Sequence, residues 1–566
     1  MAKSVYWCSD CGIPVIENSE CPLCGSRCKS ISTTGICNPV FRQEKKLISL
    51  ILGEDVLEKN VWYLGSSFYL VDGKRVRLPY VDFFKQKKHL AIAESLRENV
   101  DLDDEIPNLQ SFLKANERYL NDALVYEAET YITNLVYELS KDEDVDDEGN
   151  KKEKVKYMST VSFSGGKDST VVSRLVRDAL QDENVIHFFG DTTLEFPATH
   201  IYVDNYFRAE NPFTPMIPSE TENDFFKLCN VFGPPSKFER WCCTIFKTSN
   251  LNTEYQNLVG NSLTFLGIRH SESKERQNYE RTQIHSKIGS QINAMPIIEW
   301  YDCDVWLYIL YKGIRFNDAY RWGYKRVGCW CCPNNSDWST MLTEIYYPAL
   351  SNKWKTMLYD FAHKTNKTDI EDYVENGKWK TRKGASGLET RNVAIADTPC
   401  NLSDRARNII IKRKLKPDVL EFIKPFGELA VFDKEDATYI TVTEKEFTDA
   451  EGVHHPRRKV CELVITWGTT VIKVLPAKGI DVQLLVNRLK CQMRKYQYCI
   501  RCSACDSICP YGAINTMGDS RYAVEEHRCV QNLSACSKCI AKFYNGCITC
   551  QVLAGKKKEM DTADDE

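Results

Sequence analysis

Cysteine pairs two residues apart recur along this chain and limit its architecture more than any other feature. They form four groups: Cys8 and Cys11 with Cys21 and Cys24; Cys242 and Cys243 with Cys329 and Cys332; Cys499, Cys502, Cys505 and Cys509; and Cys529, Cys536, Cys539, Cys547 and Cys550. Thiols at this spacing can face one centre, so the groups read as metal-ligating knuckles. Of the 25 cysteines, Cys229, Cys303, Cys400, Cys461 and Cys491 read as core or surface thiols, and Cys28 and Cys37 stay unassigned. Disulfides do not account for the rest. The first residues, Met1 to Cys8, lack the apolar stretch and small-residue cleavage site of a secretory signal. The expected location is therefore the cytoplasm, where thiols stay reduced.

A chain of 566 residues is long for one core and predicts three or four domains. Turn signals and composition divide it into 1–37, a small accessory domain 38–108, a large segment 109–400, a mixed α+β region 401–490, a cysteine-dense region 491–554 and a disordered tail 555–566. In the accessory domain, residues 61–64 and 67–71 read as strands, and Asp72-Gly73 turns the chain into 75–77. Residues 109–139 have helical apolar spacing, and the charged run 141–150 reads as a solvated linker. A formal net charge of −4 argues against a general nucleic-acid binder and leaves room for a local basic face. No apolar run is long enough for a membrane span.

The large segment holds the chemistry. Residues 155–163 are apolar and β-branched enough for a buried parallel strand, and 170–180 have helical periodicity. Residues 184–190 then read as a strand, 197–210 as a helix and 263–268 as a further strand. This is an α/β pattern: a doubly wound parallel sheet around a nucleotide-binding core. Between the first strand and helix stands Ser164-Gly165-Gly166-Lys167-Asp168-Ser169. Two glycines let successive amides face one point, and the helix start adds the positive end of its dipole. With the hydroxyls of Ser164 and Ser169 and the charge of Lys167, the turn makes an anion cradle. It lacks the spacing of a Walker A loop.

This loop resembles the pyrophosphatase-loop signature of adenylating ATP pyrophosphatases and sulfonucleotide reductases. Further segments resemble the phosphoadenosine phosphosulfate reductase family: Asp191-Thr192-Thr193-Leu194-Glu195-Phe196-Pro197, then Gly267-Ile268-Arg269 with Glu272-Ser273 and Arg276. Pro296-Ile297-Ile298-Glu299-Trp300, followed by Asp304-Val305-Trp306, completes the series over roughly 155–333. The resemblance implies an adenine nucleotide, ATP or a sulfonucleotide, bound by Ser164 to Ser169, Asp191, Arg269, Glu272 and Arg276. Lys167, Asp168, Arg269 and Arg276 are the implied catalytic residues. Arg269 and Arg276 would clamp anionic oxygens and Mg²⁺ would bridge phosphates. Asp191 and Glu272 read equally well as structural.

Cys242, Cys243, Cys329 and Cys332 are similar to the set that binds a [4Fe–4S] cluster in adenylyl-sulfate reductases and in the ATP-pyrophosphatase component of DNA phosphorothioation systems. Cys331 is a spare, and zinc is the structural alternative. One departure matters. The Glu-Cys-Gly-Leu-His segment that carries the nucleophilic cysteine of such reductases is missing here.

Cys8, Cys11, Cys21 and Cys24 resemble a zinc ribbon, with rubredoxin-like iron as the alternative. The run Cys499 to Cys509, ending in Pro510, resembles a bacterial ferredoxin. By that resemblance Cys499, Cys502, Cys505 and Cys547 hold one [4Fe–4S] cluster, with Cys550 able to replace Cys547. Cys509, Cys529, Cys536 and Cys539 hold a second.

The assembly reads as an enzyme: an ATP pyrophosphatase-type sulfur transferase or sulfonucleotide-processing enzyme with two to three [4Fe–4S] clusters and Zn²⁺. Its expected partners are an electron-donor protein and a nucleic acid or sulfur-donor protein. The alternatives are ferredoxin-type reduction of adenylyl sulfate or its 3′-phosphate, and a nucleotide-sensing redox regulator without turnover.

Overall fold

In the computed structural model, the two amino-terminal Cys-x-x-Cys pairs sit in tight turns. Gly12 and Gly25 follow them with φ of +64° and +74°, and their amides donate to Cys8 O and Cys21 O at 2.9 and 2.8 Å. Only glycine adopts this backbone without strain. The strands β1 (Val5–Cys8), β2 (Ile13–Ile16) and β3 (Lys29–Ser32) form a small antiparallel sheet around them. The structure describes all residues except 1–2, 104, 142, 146–150, 154–155, 220, 222, 258–260, 284–290, 384–387, 389–394, 449–452, 507–508, 510, 517–521, 534–546 and 554–566.

Next come β4 (Asn38–Pro39), helix α1 (Arg42–Leu52), β5 (Val61–Tyr63), β6 (Phe68–Val71) and β7 (Lys74–Arg77), with β4 to β7 in one antiparallel sheet. The Asp72-Gly73 turn closes its last hairpin, with Val71 opposite Lys74. The helical spacing over 109–139 becomes an unbroken helical stretch built from Leu109–Arg118, Tyr119–Val125 and Tyr126–Ser140. The charged run after it is not all linker: Glu143–Val145 pairs antiparallel with Lys151–Glu153. A hairpin of charged residues has no apolar alternation to announce it.

The sheet of the α/β core contains β8 (Tyr157–Phe163), β9 (Ile186–Gly190), β10 (Met216–Ser219), β11 (Asn261–Leu266), β12 (Thr282–Gln283) and β13 (Gln291–Ala294). Its order is β10-β9-β8-β11-β13-β12, parallel except for the last pair. From β8 the chain first winds outward through β9 to β10 and then resumes on the other side at β11. The order reverses between β8 and β11, whose ends lie side by side with Ser162 opposite Leu266. In open α/β sheets this switch point is where ligands bind.

The chain divides into two compact units. One contains Met1–Glu220, Leu258–Ser286 and Gln291–Thr356; the other contains Thr221–Asn257, Lys287–Ser290 and Met357–Glu566. This differs from the sequence boundaries in two ways. In the first unit, 1–37 and 38–108 are not separate modules, because one apolar core runs from Val5, Trp7 and Ile13 through Trp62 and Phe112 to Val171, Phe265 and Trp306. In addition, residues 221–257 and 357–400 of the segment 109–400 fold with the carboxy-terminal half.

The second unit is built on a six-stranded antiparallel sheet of order β14-β15-β19-β18-β17-β16. Its strands are β14 (Ala396–Pro399), β15 (Arg407–Ile410), β16 (Glu428–Asp433), β17 (Thr438–Glu444), β18 (Arg458–Ile465) and β19 (Val471–Pro476). Leu485, Leu489, Met493 and Tyr496 of the long helix Val482–Tyr498 share its core with Ile440, Val442 and Leu463. Among the described residues, no helix is long and apolar enough to cross a membrane.

Candidate functional site

The glycine turn leaves β8 at the switch point and starts helix α2 (Lys167–Leu180). Gly165 has φ +68°, and a Cβ there would come 2.8 Å from Thr199 Cγ2. Gly267 matters in another way. A Cβ on it would stand 2.7 Å from the backbone carbon of Asp168, so the end of β11 and the start of α2 touch only because this residue is glycine. That contact brings Arg269 to Asp168.

The result is a buried tetrad of two cations and two carboxylates. Lys167 Nζ lies 3.0 Å from Asp168 Oδ2 and 3.2 Å from Asp302 Oδ1. Arg269 donates to Asp168 Oδ1 at 2.5 Å and to Asp302 Oδ1 at 2.6 Å. Asn38 donates to the other Asp302 oxygen at 3.2 Å. Burial alone would raise the two carboxyls, but Arg269 and Lys167 outweigh it and hold both below the ordinary carboxylate range. The same pairing holds Lys167 and Arg269 protonated against burial.

Two amides of the cradle have partners within the fold. Ser164 N donates to Ser169 Oγ at 3.2 Å, and Lys167 N donates to the Tyr320 hydroxyl at 3.0 Å. Arg276 pairs with Glu272, whose carboxylate also accepts from Arg269 N at 3.2 Å.

Asp191 follows β9 at the same sheet edge. Asp191, Glu195 and His200 present ligand atoms that all lie within 4.8 Å of one another. Asp191 accepts from Thr193 N at 2.7 Å, and Glu195 accepts from Thr192 N at 3.0 Å and from its hydroxyl at 2.7 Å. Burial raises the Glu195 carboxyl despite those bonds. Cys329 lies against this segment: its backbone bridges Glu195, Trp330 N donates to Leu194 O at 2.9 Å, and its sulfur is 3.6 Å from Thr192 Oγ1. Cys332 N closes the Cys329 turn at 3.2 Å, and Asn335 caps it. Cys329 and Cys332 belong to the first unit; Cys242 and the exposed Cys243 belong to the second.

The sulfurs of Cys8, Cys11, Cys21 and Cys24 also lie within 4.8 Å of one another, with 3.6 Å from Cys8 to Cys24 and 3.8 Å from Cys11 to Cys21. Four thiolates this close suit one tetrahedral ion with metal–sulfur bonds of about 2.3 Å. Hydrogen bonds from Ser26 lower the Cys24 thiol to about 6.

In the second unit Cys499, Cys502, Cys505 and Cys547 line one small pocket of about 20 Å³. Cys550 N donates to Cys547 Sγ at 3.4 Å, and Cys550 Sγ also lies 3.9 Å from Arg494 O. Ser249 Oγ and Asn252 Nδ2 brace the ligand loop through Ser503 O and Asp506 O, each at 2.7 Å. Cys509 accepts from Ala513 N at 3.3 Å, and Cys529 is half-buried; Cys536 and Cys539 lie outside the described residues.

Sequence reasoning missed Asp302, Tyr320 and Lys495, a buried side chain in the thiol pocket. Asp302 stands two residues before the quoted Asp304, which is occupied elsewhere with Lys3 and Tyr119. Tyr320 and Lys495 stand in no recognisable pattern.

Residues 159–335 match the phosphoadenosine phosphosulfate reductase domain. The chain is 34% identical over 230 residues to an uncharacterized protein of Methanocaldococcus jannaschii, a match covering 40% of this chain and 46% of that protein. It is 34% identical over 94 residues to an adenosine 5′-phosphosulfate reductase of Neisseria meningitidis serogroup B, covering 16% of this chain and 36% of that one. With the adenosine 5′-phosphosulfate reductase of Geobacillus kaustophilus it shares 25% identity over 175 residues, 30% of this chain and 70% of that one. The chain spans about half or less of the length of the first two relatives.

Proposed function

We propose that this chain is an iron–sulfur enzyme that binds ATP or a sulfonucleotide at the loop Ser164 to Ser169 and couples α-phosphate chemistry to redox sulfur transfer. The observation that carries this is the tetrad of Lys167, Asp168, Arg269 and Asp302 at the switch point of the sheet. Asp168 and Asp302 fix the two cations in place, so no reorganisation is needed when charge develops on the transferring phosphoryl group. Because the tetrad is formally neutral and Arg276 is paired with Glu272, the charge of a polyphosphate must be met by the loop amides, by Arg276 once released from Glu272, and by a cation. Mg²⁺ would supply that charge, and Asp191, Glu195 and His200 are described donors at this edge close enough to share one ion.

In this reading an acceptor oxygen attacks the α-phosphorus, pyrophosphate leaves, and a sulfur nucleophile later displaces AMP. Ser169 and Tyr320 would release the Ser164 and Lys167 amides to phosphate oxygens. Cys8, Cys11, Cys21 and Cys24 fit a structural zinc. Cys499, Cys502, Cys505 and Cys547 suit a [4Fe–4S] cluster by donor type and shared pocket, and such a cluster supplies single electrons. Cys509 and Cys529 with Cys536 and Cys539, and Cys242 and Cys243 with Cys329 and Cys332, are proposed as further clusters on spacing and resemblance alone. The expected location is the cytoplasm, and the expected partners are an electron-donor protein and a nucleic-acid or sulfur-donor acceptor.

A second reading, reduction of adenylyl sulfate or its 3′-phosphate to sulfite, is favoured by the names of the Neisseria and Geobacillus relatives. It lacks the Glu-Cys-Gly-Leu-His nucleophile. Anaerobic product analysis with radiolabelled ATP, adenylyl sulfate and its 3′-phosphate separates the two. AMP and pyrophosphate from ATP, abolished in Lys167→Ala and Asp168→Ala, support the adenylating enzyme. Sulfite release that depends on reduced clusters supports the reductase. Binding without turnover of any of the three sinks both and leaves a nucleotide sensor.

A further inference from the structure

Asp302 opens the helix Asp302–Lys312 and offers both cations of the tetrad the same oxygen: Lys167 and Arg269 meet Oδ1 at 3.2 and 2.6 Å. A carboxylate bonded through one oxygen can turn and present the other. Asn38 removes that freedom, because its Nδ2 donates to Oδ2 at 3.2 Å. Asn38 is 3% exposed, and its own Oδ1 is buried with no donor among the described residues. An unpaired buried carbonyl oxygen costs stability, which an apolar side chain at this place in β4 would avoid. What Asn38 gives in return is the bond to Asp302.

The two residues after Asp302 are tied to the same part of the chain. Cys303 N donates to Gly35 O at 3.1 Å, and Gly35 N donates to Lys3 O at 3.0 Å. Lys3 Nζ in turn reaches Asp304 Oδ2 at 2.6 Å. A Cβ on Gly35, whose φ is +65°, would stand 2.3 Å from Tyr301 Cδ1, so a side chain here would push the helix start away. Asp302, Cys303 and Asp304 are thus held by Asn38, Gly35 and Lys3.

We propose that Asn38 is a positioning residue of the nucleotide site, fixing the Asp302 carboxylate so that one oxygen bridges Lys167 and Arg269. This rests on the nucleotide reading given above. Asn38 meets no reacting atom and acts through Asp302. Without it, Asp302 can turn to chelate Arg269 with both oxygens, which draws the carboxylate off Lys167 and shifts the ammonium that would meet the phosphates.

The test is a double-mutant cycle on the full chain: Asn38→Leu, Asp302→Asn and their combination, titrated with ATP, adenylyl sulfate and its 3′-phosphate. Asn38→Leu is expected to weaken binding about fivefold, and to add little in the Asp302→Asn background. Urea unfolding of the same four proteins reads the coupling without ligand, and decides it where Asp302→Asn binds no nucleotide. If Asn38→Leu does not fold, Asn38→Ala replaces it in the cycle. Equal losses in both backgrounds overturn the proposal in favour of a packing role, and so does unchanged affinity in a folded Asn38→Leu. An unsubstituted chain that binds none of the three nucleotides overturns the nucleotide reading itself, and the Asn38 proposal with it.

Discussion

Asp302 accepts from Arg269, Lys167 and Asn38 at once, with its side chain 21% exposed. Asp302→Asn keeps the shape but leaves two cations sharing Asp168. Breaking such a buried pair is expected to cost on the order of 3 kcal/mol of stability, somewhat less for the partial exposure. It should also weaken ATP binding at least tenfold, because Arg269 loses one of its two anchors. Urea denaturation and nucleotide titration of the same variant check both effects; unchanged stability would mean that Asp302 is not part of a cooperative tetrad. Only part of this arrangement was legible in the sequence. The loop spelled out Lys167 and Asp168, and the Gly-x-Arg segment supplied Arg269. Asp302 reaches the tetrad through a turn that no periodicity encodes, and the carboxylate that caught attention, Asp304, instead serves Lys3, Tyr119 and the amide of Tyr301. A motif marks a neighbourhood; burial and backbone direction choose which of two nearby carboxylates meets Lys167 and Arg269.

At the scale of elements, the site depends on how closely β11 approaches α2. Gly267→Ala would place a methyl 2.7 Å from backbone that cannot rotate away, so strand end and helix start must separate. A loss of about 1–3 kcal/mol is expected from the overpacking, together with a fall in nucleotide affinity larger than that of Gly313→Ala. At Gly313 a Cβ meets nothing, although its φ of +61° brings backbone strain of its own. Thermal melts and ATP titrations of the two variants check this. Strands with strong apolar character, β8, β9 and β11, were visible from composition, and so was the helix that follows the glycine loop. The short strands β10, β12 and β13 were not. Two to four residues are too few for an alternation to stand out, and β10 and β12 form edges that need little apolar content. The hairpin of Glu143–Val145 with Lys151–Glu153 was hidden for the same reason.

Over the whole molecule, the sequence revealed the cysteine-rich segments better than their boundaries. Cysteine spacing reports ligands, but says nothing of which apolar residues pack across hundreds of positions. Val5 and Trp7 share a core with Trp306, so the amino-terminal segment is part of the first unit's interior. For the zinc proposed above, stripping with a chelator and a thiol-reactive mercurial is therefore expected to lower the melting temperature of the entire first unit in one transition. A separate low-temperature transition, with the rest of the first unit unaffected, would refute that. The interleaving of the two units has a consequence of another kind. Phe225, Phe232, Trp241 and Phe246 are all buried, and their neighbours Pro234, Ser236, Ser249 and Asn252 bond to Arg382, Ser503 and Asp506. On the ribosome residues 221–257 emerge long before those partners are translated, so this aromatic stretch must wait, exposed, for more than a hundred codons. A nascent chain of this kind cannot mature strictly from front to back, and a premature stop near position 400 would leave its own middle without a place to fold.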